Sequence, residues 1–363
     1  MLSVAIVGPG LVGDALIKMI TNYASLANAK SLPICVRGVI NSKKMLVASS
    51  PEELVSSNYK QLLDSDRAEP ADISQFIDNL KKVTQPSQTV IVDCTSNENI
   101  ANSYALWLEQ GFNVTTPNKK AFSGPLSYYN QLRALQANTS PILLHEATVG
   151  AGLPVLSTLS NLVASGDHIK KIEGILSGTL SFLFAEFSSG STTGPSFSDT
   201  VKVAKANGFT EPDPRDDLNG MDVARKATIL ARLSGANIEI SDLKLQNIVP
   251  EPLLQLETSD EFMNQLPEFD AHFAELNAKA LANNAVLRYV ASLDFENKSY
   301  SVELKEFPKS HPFSGLSAGD NIISFTTEYF PNPLTIMGAG AGAQVTSYGI
   351  FCDILKIAEN SRN

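Results

Sequence analysis

Ser3-Val-Ala-Ile-Val7-Gly8-Pro9-Gly10-Leu11-Val12-Gly13 decides the fold class, because a β-branched run breaks into three spaced glycines and then into an amphipathic stretch, Leu11–Ile20. A strand, a tight glycine turn and a helix in that order form the first half of a dinucleotide-binding unit. Gly8 permits the turn, Gly10 lets a pyrophosphate approach the backbone, and Gly13 lets helix and strand pack closely. The helix N-terminus then favours the phosphate charge. The loop, with Gly8, Gly10, Leu11, Val12 and Gly13, is therefore the candidate cofactor-binding segment. A glycine turn kept only for packing is the alternative.

Outward from this loop, short strand-like runs alternate with helical patterns through the first 150 residues. Ser3–Val7, Ile34–Ile40, Thr89–Cys94, Phe112–Thr116 and Ile142–Glu146 read as strands. Leu11–Ile20, Ile73–Leu80, Ile100–Gln110 and Leu126–Leu135 read as helices. Such alternation predicts an α/β fold, a Rossmann-type doubly wound parallel sheet covered on both faces. Ala48–Glu69 is polar and weakly periodic and reads as a surface insertion.

The pattern changes after Gly150. A helix at Leu153–Ala164, a strand at Ile169–Leu176 and an apolar helix at Leu180–Phe187 precede the Ser/Gly/Thr-rich loop Ser188–Asp199. Helices at Asp199–Asn207 and Met221–Leu233 follow, then a hairpin of Val286–Asp294 and Ser299–Glu306 and a strand at Asn321–Glu328. The chain ends in a strand, Leu334–Met337, a GAGAGA run and a helix to about Ala358. The expected organisation is a nucleotide-binding domain at 1–150 and a second, α+β substrate and dimerisation domain at 151–333. The C-terminal segment, 334–363, is expected to return to the first domain.

Composition narrows the function classes. Lys and Arg number 28 against 38 Asp and Glu, a net charge of −10 with no basic block, which disfavours nucleic acid and anionic membranes as partners. The 43% of hydrophobic residues suffices for packed cores, yet no run approaches the roughly 18 apolar residues of a spanning helix. Cys35, Cys94 and Cys352 show no paired spacing and read as reduced thiols. With no export signal at the N-terminus, a cytoplasmic location is expected, and the N-x-[ST] triplets at Asn113, Asn138 and Asn297 read as chance matches.

Cofactor choice is expected at the end of the second strand, Val39-Ile40-Asn41-Ser42-Lys43-Lys44. The carboxylate that binds a ribose hydroxyl is missing and two lysines follow, which leaves both NADP and NAD open. A solvated loop is the other reading of Lys43 and Lys44.

The densest chemical signal is the segment from Gly208 to Lys226, GFTEPDPRDDLNGMDVARK. Asp222 and Lys226, four apart, share a helix face. They form either an exposed ion pair of a few tenths of a kcal/mol or a functional pair on a helix that is otherwise largely apolar. An EF-hand reading fails, because with Gly220 in the glycine position Lys226 would replace the closing glutamate. Lys119 and Lys120 follow the strand Phe112–Thr116 at its carboxyl end, and Thr95-Ser96 stands at the same edge, where open α/β sheets bind ligands. Surface lysines and a plain turn are the alternatives. The four histidines form no metal spacing, and His145 reads as a hydrogen-bonded core residue. A dehydrogenase acid-base group is expected to be lysine.

With these segments assembled, the chain resembles homoserine dehydrogenases in their short monofunctional fungal form. The resemblance rests on GPGLVG at 8–13, TPNKKAF at 116–122, HEATVGAGLP at 145–154, EGILSGTLSF at 173–182, the 208–226 segment and GAGAGA at 338–343. It implies NAD(P)-dependent interconversion of L-homoserine and L-aspartate 4-semialdehyde, with no kinase or regulatory segment attached. By the same resemblance Glu211 and Asp222 hold the substrate ammonium, Lys226 donates the proton, and Lys119 assists at the same oxygen. Thr95, Ser96, Lys119, Gly208 and Gly342 lie against the cofactor, and Glu146, Val149, Ala151 and Leu153 hold a sodium-like monovalent cation. A homodimer paired through a sheet is implied too. The competing readings are another amino-acid or semialdehyde dehydrogenase and a dinucleotide sensor without catalysis.

Overall fold

All six residues of β1 (Leu2–Val7) are buried, as expected of a strand covered on both faces. It pairs in parallel with β2 (Ile34–Ile40) on one side and β5 (Thr89–Asp93) on the other. β6 (Asn113–Thr115) and β7 (Leu143–Leu144) extend the parallel part. Beyond β2 lie β3 (Lys44–Val47) and β4 (Glu69–Pro70), both antiparallel, so the order is β4-β3-β2-β1-β5-β6-β7. The sheet is thus doubly wound with an antiparallel edge that the sequence did not announce. This computed structural model describes residues 1–136 and 140–361, and the triplet at Asn138 lies outside them.

The chain divides into two units, Met1–Pro154 with Gly342–Asn363, and Val155–Ala341. The first unit's core joins Val4 and Ile6 to Leu16 and Ile17 of the first helix, and to Ile350, Ile354 and Ile357 of the C-terminal helix Ala343–Asn360. Tyr23 meets Phe351 edge-on at 5.3 Å, and Ser347 donates to the Val12 carbonyl at 2.7 Å.

The second unit has a six-stranded sheet in the order β13-β12-β8-β10-β11-β9. Its strands are β8 (Ile169–Ile175), β9 (Lys244–Leu245), β10 (Ala285–Asp294), β11 (Ser299–Pro308), β12 (Asp320–Thr327) and β13 (Leu334–Ala339). The hairpin β10–β11 keeps register over ten residue pairs, from Ala285↔Pro308 to Asp294↔Ser299. Arg288 on β10 is buried and donates to the carbonyls of Phe184, Ser188, Leu287, Phe313 and Ser314, tying the end of the helix Gly178–Phe187 to the sheet. Burial pushes its guanidinium down to about 10.

Several expectations need correction. β13 is hydrogen-bonded into the second sheet, so the boundary expected at 333/334 falls at 341/342, and the one expected at 150/151 falls at 154/155. The 48–69 stretch is no surface insertion. It carries the helix Tyr59–Asp64 and buries Ala48, Leu54, Tyr59 and Leu63 in the first core, because a six-residue helix is too short to show a period among so many polar neighbours. Ile100–Gln110 is two helices, Glu98–Ala101 and Tyr104–Glu109, and the strand read at Ile142–Glu146 pairs only over Leu143–Leu144 before a 3₁₀ turn, Glu146–Thr148. Among the described residues no helix is long and apolar enough to cross a membrane.

Candidate functional sites of the two units

Strand order in the first sheet reverses direction at β1, between β2 and β5, and ligand crevices of open α/β sheets lie at that point. A cleft of about 680 Å³ opens there, lined among others by Gly8, Gly10, Asn41, Lys60, Thr95 and Asn97. Gly8 takes φ +84, and a side chain on it would meet Thr95 Cγ2 at 2.6 Å. A Cβ on Gly13 would strike the Gly8 carbonyl oxygen at 2.7 Å, whereas one on Gly10 would meet nothing within 4 Å. The first and third glycines thus serve the turn and the packing, and the second keeps the cleft floor bare. Leu11, 86% exposed, and Val12 follow in the first helical turn.

At the end of β2 the Asn41 side chain accepts from the backbone N–H groups of Lys43 and Lys44, both at 2.8 Å. Lys44 donates to the Asp64 carbonyl at 3.0 Å and so ties the short helix to the sheet edge. The cation that lines the cleft is instead Lys60, which pairs with Asp14 at 2.8 Å. Hydrogen bonds from Lys18, Lys60 and Tyr59 hold the Asp14 carboxyl well below the usual carboxylate range. Tyr59, Lys60 and Asp64 were missed as cleft residues because they belong to the stretch read as an insertion.

The carboxyl ends of β5 and β6 share a buried polar network. Asp93 is fully buried and accepts from Tyr104 Oη at 2.5 Å, Asn118 Nδ2 at 3.0 Å and the Thr95 N–H at 2.8 Å. Burial pushes its carboxyl up, and these hydrogen bonds act the other way. Thr116 Oγ1 donates to the Asp93 carbonyl at 2.8 Å and accepts from the Asn118 N–H at 2.9 Å. Lys119 follows directly, half-buried, at the N-cap of the helix Lys120–Ser123. Ser96 is exposed on the neighbouring turn.

Behind β7 the chain turns through Glu146, Val149, Ala151 and Leu153. Glu146 and Val149 are buried, and Ala151 takes a left-handed φ of 52°. Asp353 accepts from the Glu146 N–H at 3.0 Å and from Thr115 Oγ1 at 3.2 Å, and Lys356 lies 3.5 Å from the Glu146 carboxylate. Val149, Ala151 and Leu153 can offer only backbone oxygens, so the set is one carboxylate and carbonyls, hard donors that suit a hard cation and not a thiophilic metal. Among the described residues no cluster of three His, Cys, Asp or Glu could hold a metal ion. His145 stacks on Phe122 at 3.8 Å and contacts Thr148 Oγ1 at 3.2 Å. Burial, with Arg133 adding to it, pushes the ring down to about 3, and the residue is half-buried and hydrogen-bonded where the sequence reading expected a core histidine.

In the second unit the helix Met221–Leu233 follows Gly220, whose φ of +74 favours glycine. A Cβ on Gly220 would also lie 2.0 Å from Tyr289 Oη. This junction sets the first turn, from which Asp222 reaches Lys226 at 2.7 Å. The Lys226 residue is 9% exposed and its ammonium donates to the Leu176 carbonyl at 2.7 Å, while the Asp222 side chain is 46% exposed. The pair is therefore neither the solvated ion pair nor a fully buried one. A desolvated ammonium is anchored beside a carboxylate that keeps a face to solvent.

Glu211 is exposed, on a loop that begins at Gly208 with φ +69. Asp217, to which the sequence reading gave no role, accepts from the Glu211 N–H at 2.8 Å and from Thr179 Oγ1 at 2.9 Å. Burial pushes its carboxyl up. Arg215 grips Asp213 through Nε and Nη2, which fixes the prolines of the same loop. Within the second unit Glu211, Asp217 and Thr179 are thus brought together, and Asp222 with Lys226. Within the first unit, Gly8, Gly10 and Thr95 line one cleft. Gly342 is the N-cap of the C-terminal helix.

Comparison with known proteins matches both units. The family model "Homoserine dehydrogenase, NAD binding domain" fits residues 8–146, and the model "Homoserine dehydrogenase" fits residues 154–355. A chloroplastic bifunctional aspartokinase/homoserine dehydrogenase of Zea mays is 47% identical over 98% of this chain, which spans only 38% of that protein's length. A homoserine dehydrogenase of Schizosaccharomyces pombe is 42% identical over 99% of this chain and 96% of its own. A Candida auris protein of unknown function superimposes with a TM-score of 0.91 at 41% identity, covering 99% of this chain and 98% of that one.

Proposed function

Since the chain belongs to the homoserine dehydrogenase family, we propose that it interconverts L-homoserine and L-aspartate 4-semialdehyde with NADP or NAD as hydride carrier. The observation that carries this reading is the Lys226–Asp222 pair, an anchored and desolvated ammonium beside a half-exposed carboxylate. A bound nicotinamide supplies or accepts the hydride at the carbon of the reacting C–O group. Lys226 gives a proton to the oxygen as the semialdehyde is reduced, and takes it back in oxidation. Lys119 assists at that oxygen with a second positive charge. Asp222 and Glu211 fix the substrate ammonium and with it the orientation of the chain being reduced.

The first unit takes the nucleotide. The bare backbone of Gly10 and the first helical turn, with Leu11, Val12, Thr95 and Ser96, would hold its pyrophosphate, and Lys60 would add a positive charge to the same cleft. Lys119 and Gly342 of the same unit are assigned to the cofactor as well. Glu146, with backbone oxygens of Val149, Ala151 and Leu153, suits a sodium-like cation that would fix this turn electrostatically. We assign the hairpin β10–β11 to pairing with a second copy, and a reducing, cytosolic setting to the three free cysteines.

Glu211→Gln and Asp222→Asn test the ammonium site, since each keeps the shape and removes a charge. Homoserine kcat/KM falls on the order of tenfold or more per lost charged contact, while the calorimetric Kd for nucleotide holds. Equal losses of substrate and nucleotide affinity would show that the cluster is structural.

A further inference from the structure

A carboxylate without solvent exposure needs a reason to be there, because removing its charge from water costs several kcal/mol unless hydrogen bonds compensate. Asp93 receives those bonds from two separate turns and one helix. One oxygen accepts the Thr95 N–H, at the turn that leads to Asn97. The other accepts Tyr104 Oη and Asn118 Nδ2. Asn118 in turn donates to the Asn97 carbonyl at 3.0 Å, and its own Oδ1 accepts the Lys120 N–H at 3.1 Å. Every backbone group from Thr116 to Lys120 that this network fixes lies within two residues of Lys119.

We propose that Asp93 is the positioning residue for Lys119, the anchor through which the 116–120 turn is held where the lysine can serve the reacting oxygen. The inference rests on the role given to Lys119 above. Asparagine cannot replace the aspartate here. Its amide nitrogen would face either the Thr95 N–H or the pair of donors on the other oxygen, so at least one donor loses its acceptor. Asn118 cannot turn its amide to compensate, since its oxygen is already bound to Lys120. A loosened turn moves the lysine, and a displacement of 1 Å at a reacting group can cost on the order of a hundredfold in rate.

The test is a double-mutant cycle on kcat for homoserine oxidation by the full-length enzyme, with unfolding temperature as a control. Asp93→Asn alone lowers kcat roughly tenfold to a hundredfold, with nucleotide Kd within about threefold of wild type. In a Lys119→Ala background Asp93→Asn adds less than about twofold, whereas in an Asp222→Asn background it keeps its full factor. Tyr104→Phe, which removes a single hydroxyl and keeps the ring packed, shows the same dependence on Lys119 with a smaller drop, and serves if Asp93→Asn fails to fold. If Lys119→Ala itself leaves kcat at the wild-type value, the role of Lys119 falls and this proposal with it. If Lys119→Ala is impaired and the Asp93 or Tyr104 change multiplies on it in full, Lys119 stands and positioning by Asp93 is overturned.

Discussion

Lys226→Ala lowers kcat for homoserine oxidation by roughly 10²–10⁴-fold, the range for loss of a positioned acid or base. The fold survives, because Asp222 is 46% exposed and water can take over its solvation when the ammonium is gone. The loss therefore falls on the chemical step. Lys226→Arg gives no rescue, since a guanidinium stays protonated and its planar fork does not fit a point contact with the Leu176 carbonyl. The sign of the pH dependence follows from the proton's direction. Oxidation needs the neutral amine to accept a proton, so its rate rises with pH. Reduction needs the ammonium, so its rate falls as pH rises. A pH–rate profile of wild type, Lys226→Ala and Lys119→Ala checks this. A normal kcat in Lys226→Ala with a lost one in Lys119→Ala would reverse the two roles.

Gly10→Trp abolishes nucleotide binding and leaves folding intact. At Gly10 the backbone has φ −76, which any residue adopts, and a Cβ would meet no atom within 4 Å. The side chain then stands in the 680 Å³ cleft, where the pyrophosphate has to approach the backbone. Calorimetry should show nucleotide affinity down by about a hundredfold or more with an unchanged unfolding transition, several kcal/mol of lost binding. Gly13→Ala gives the opposite result, lowered stability, because its Cβ would press on the Gly8 carbonyl oxygen at 2.7 Å. Unchanged affinity in Gly10→Trp would remove this loop from the binding site.

Much of this was legible in the chain because the relevant signals are local. The glycine loop, the strand Ile34–Ile40 and the helix Met221–Leu233 lie where periodicity and turn chemistry put them. Asp222 and Lys226 meet because helical spacing leaves them one turn apart. What escaped was set by distant contacts. The helix Tyr59–Asp64 draws its stability from burying Tyr59 and Leu63 in a core made elsewhere, so nothing in its own six residues marks it as a cleft wall. The helix Asp270–Ala282 buries only Phe273 and Ala280 and shows little periodicity. Asp93 looks like the polar end of a strand until Tyr104 and Asn118 are seen to converge on it across 11 and 25 residues of chain. Lys44 sits in sequence where a phosphate ligand is expected, but the antiparallel strand it opens sends its ammonium to the Asp64 carbonyl.

The central claim is catalysis, and it is tested by following reduced-nucleotide absorbance as purified protein meets L-homoserine with NAD or NADP at alkaline pH. Lys226→Ala serves as the control, and related hydroxy amino acids run alongside. Wild-type protein is expected to turn over L-homoserine ahead of the other hydroxy amino acids, with the control at background. Nucleotide binding without turnover above that control would contradict the claim and leave a dinucleotide sensor. Faster oxidation of another hydroxy amino acid would overturn the substrate.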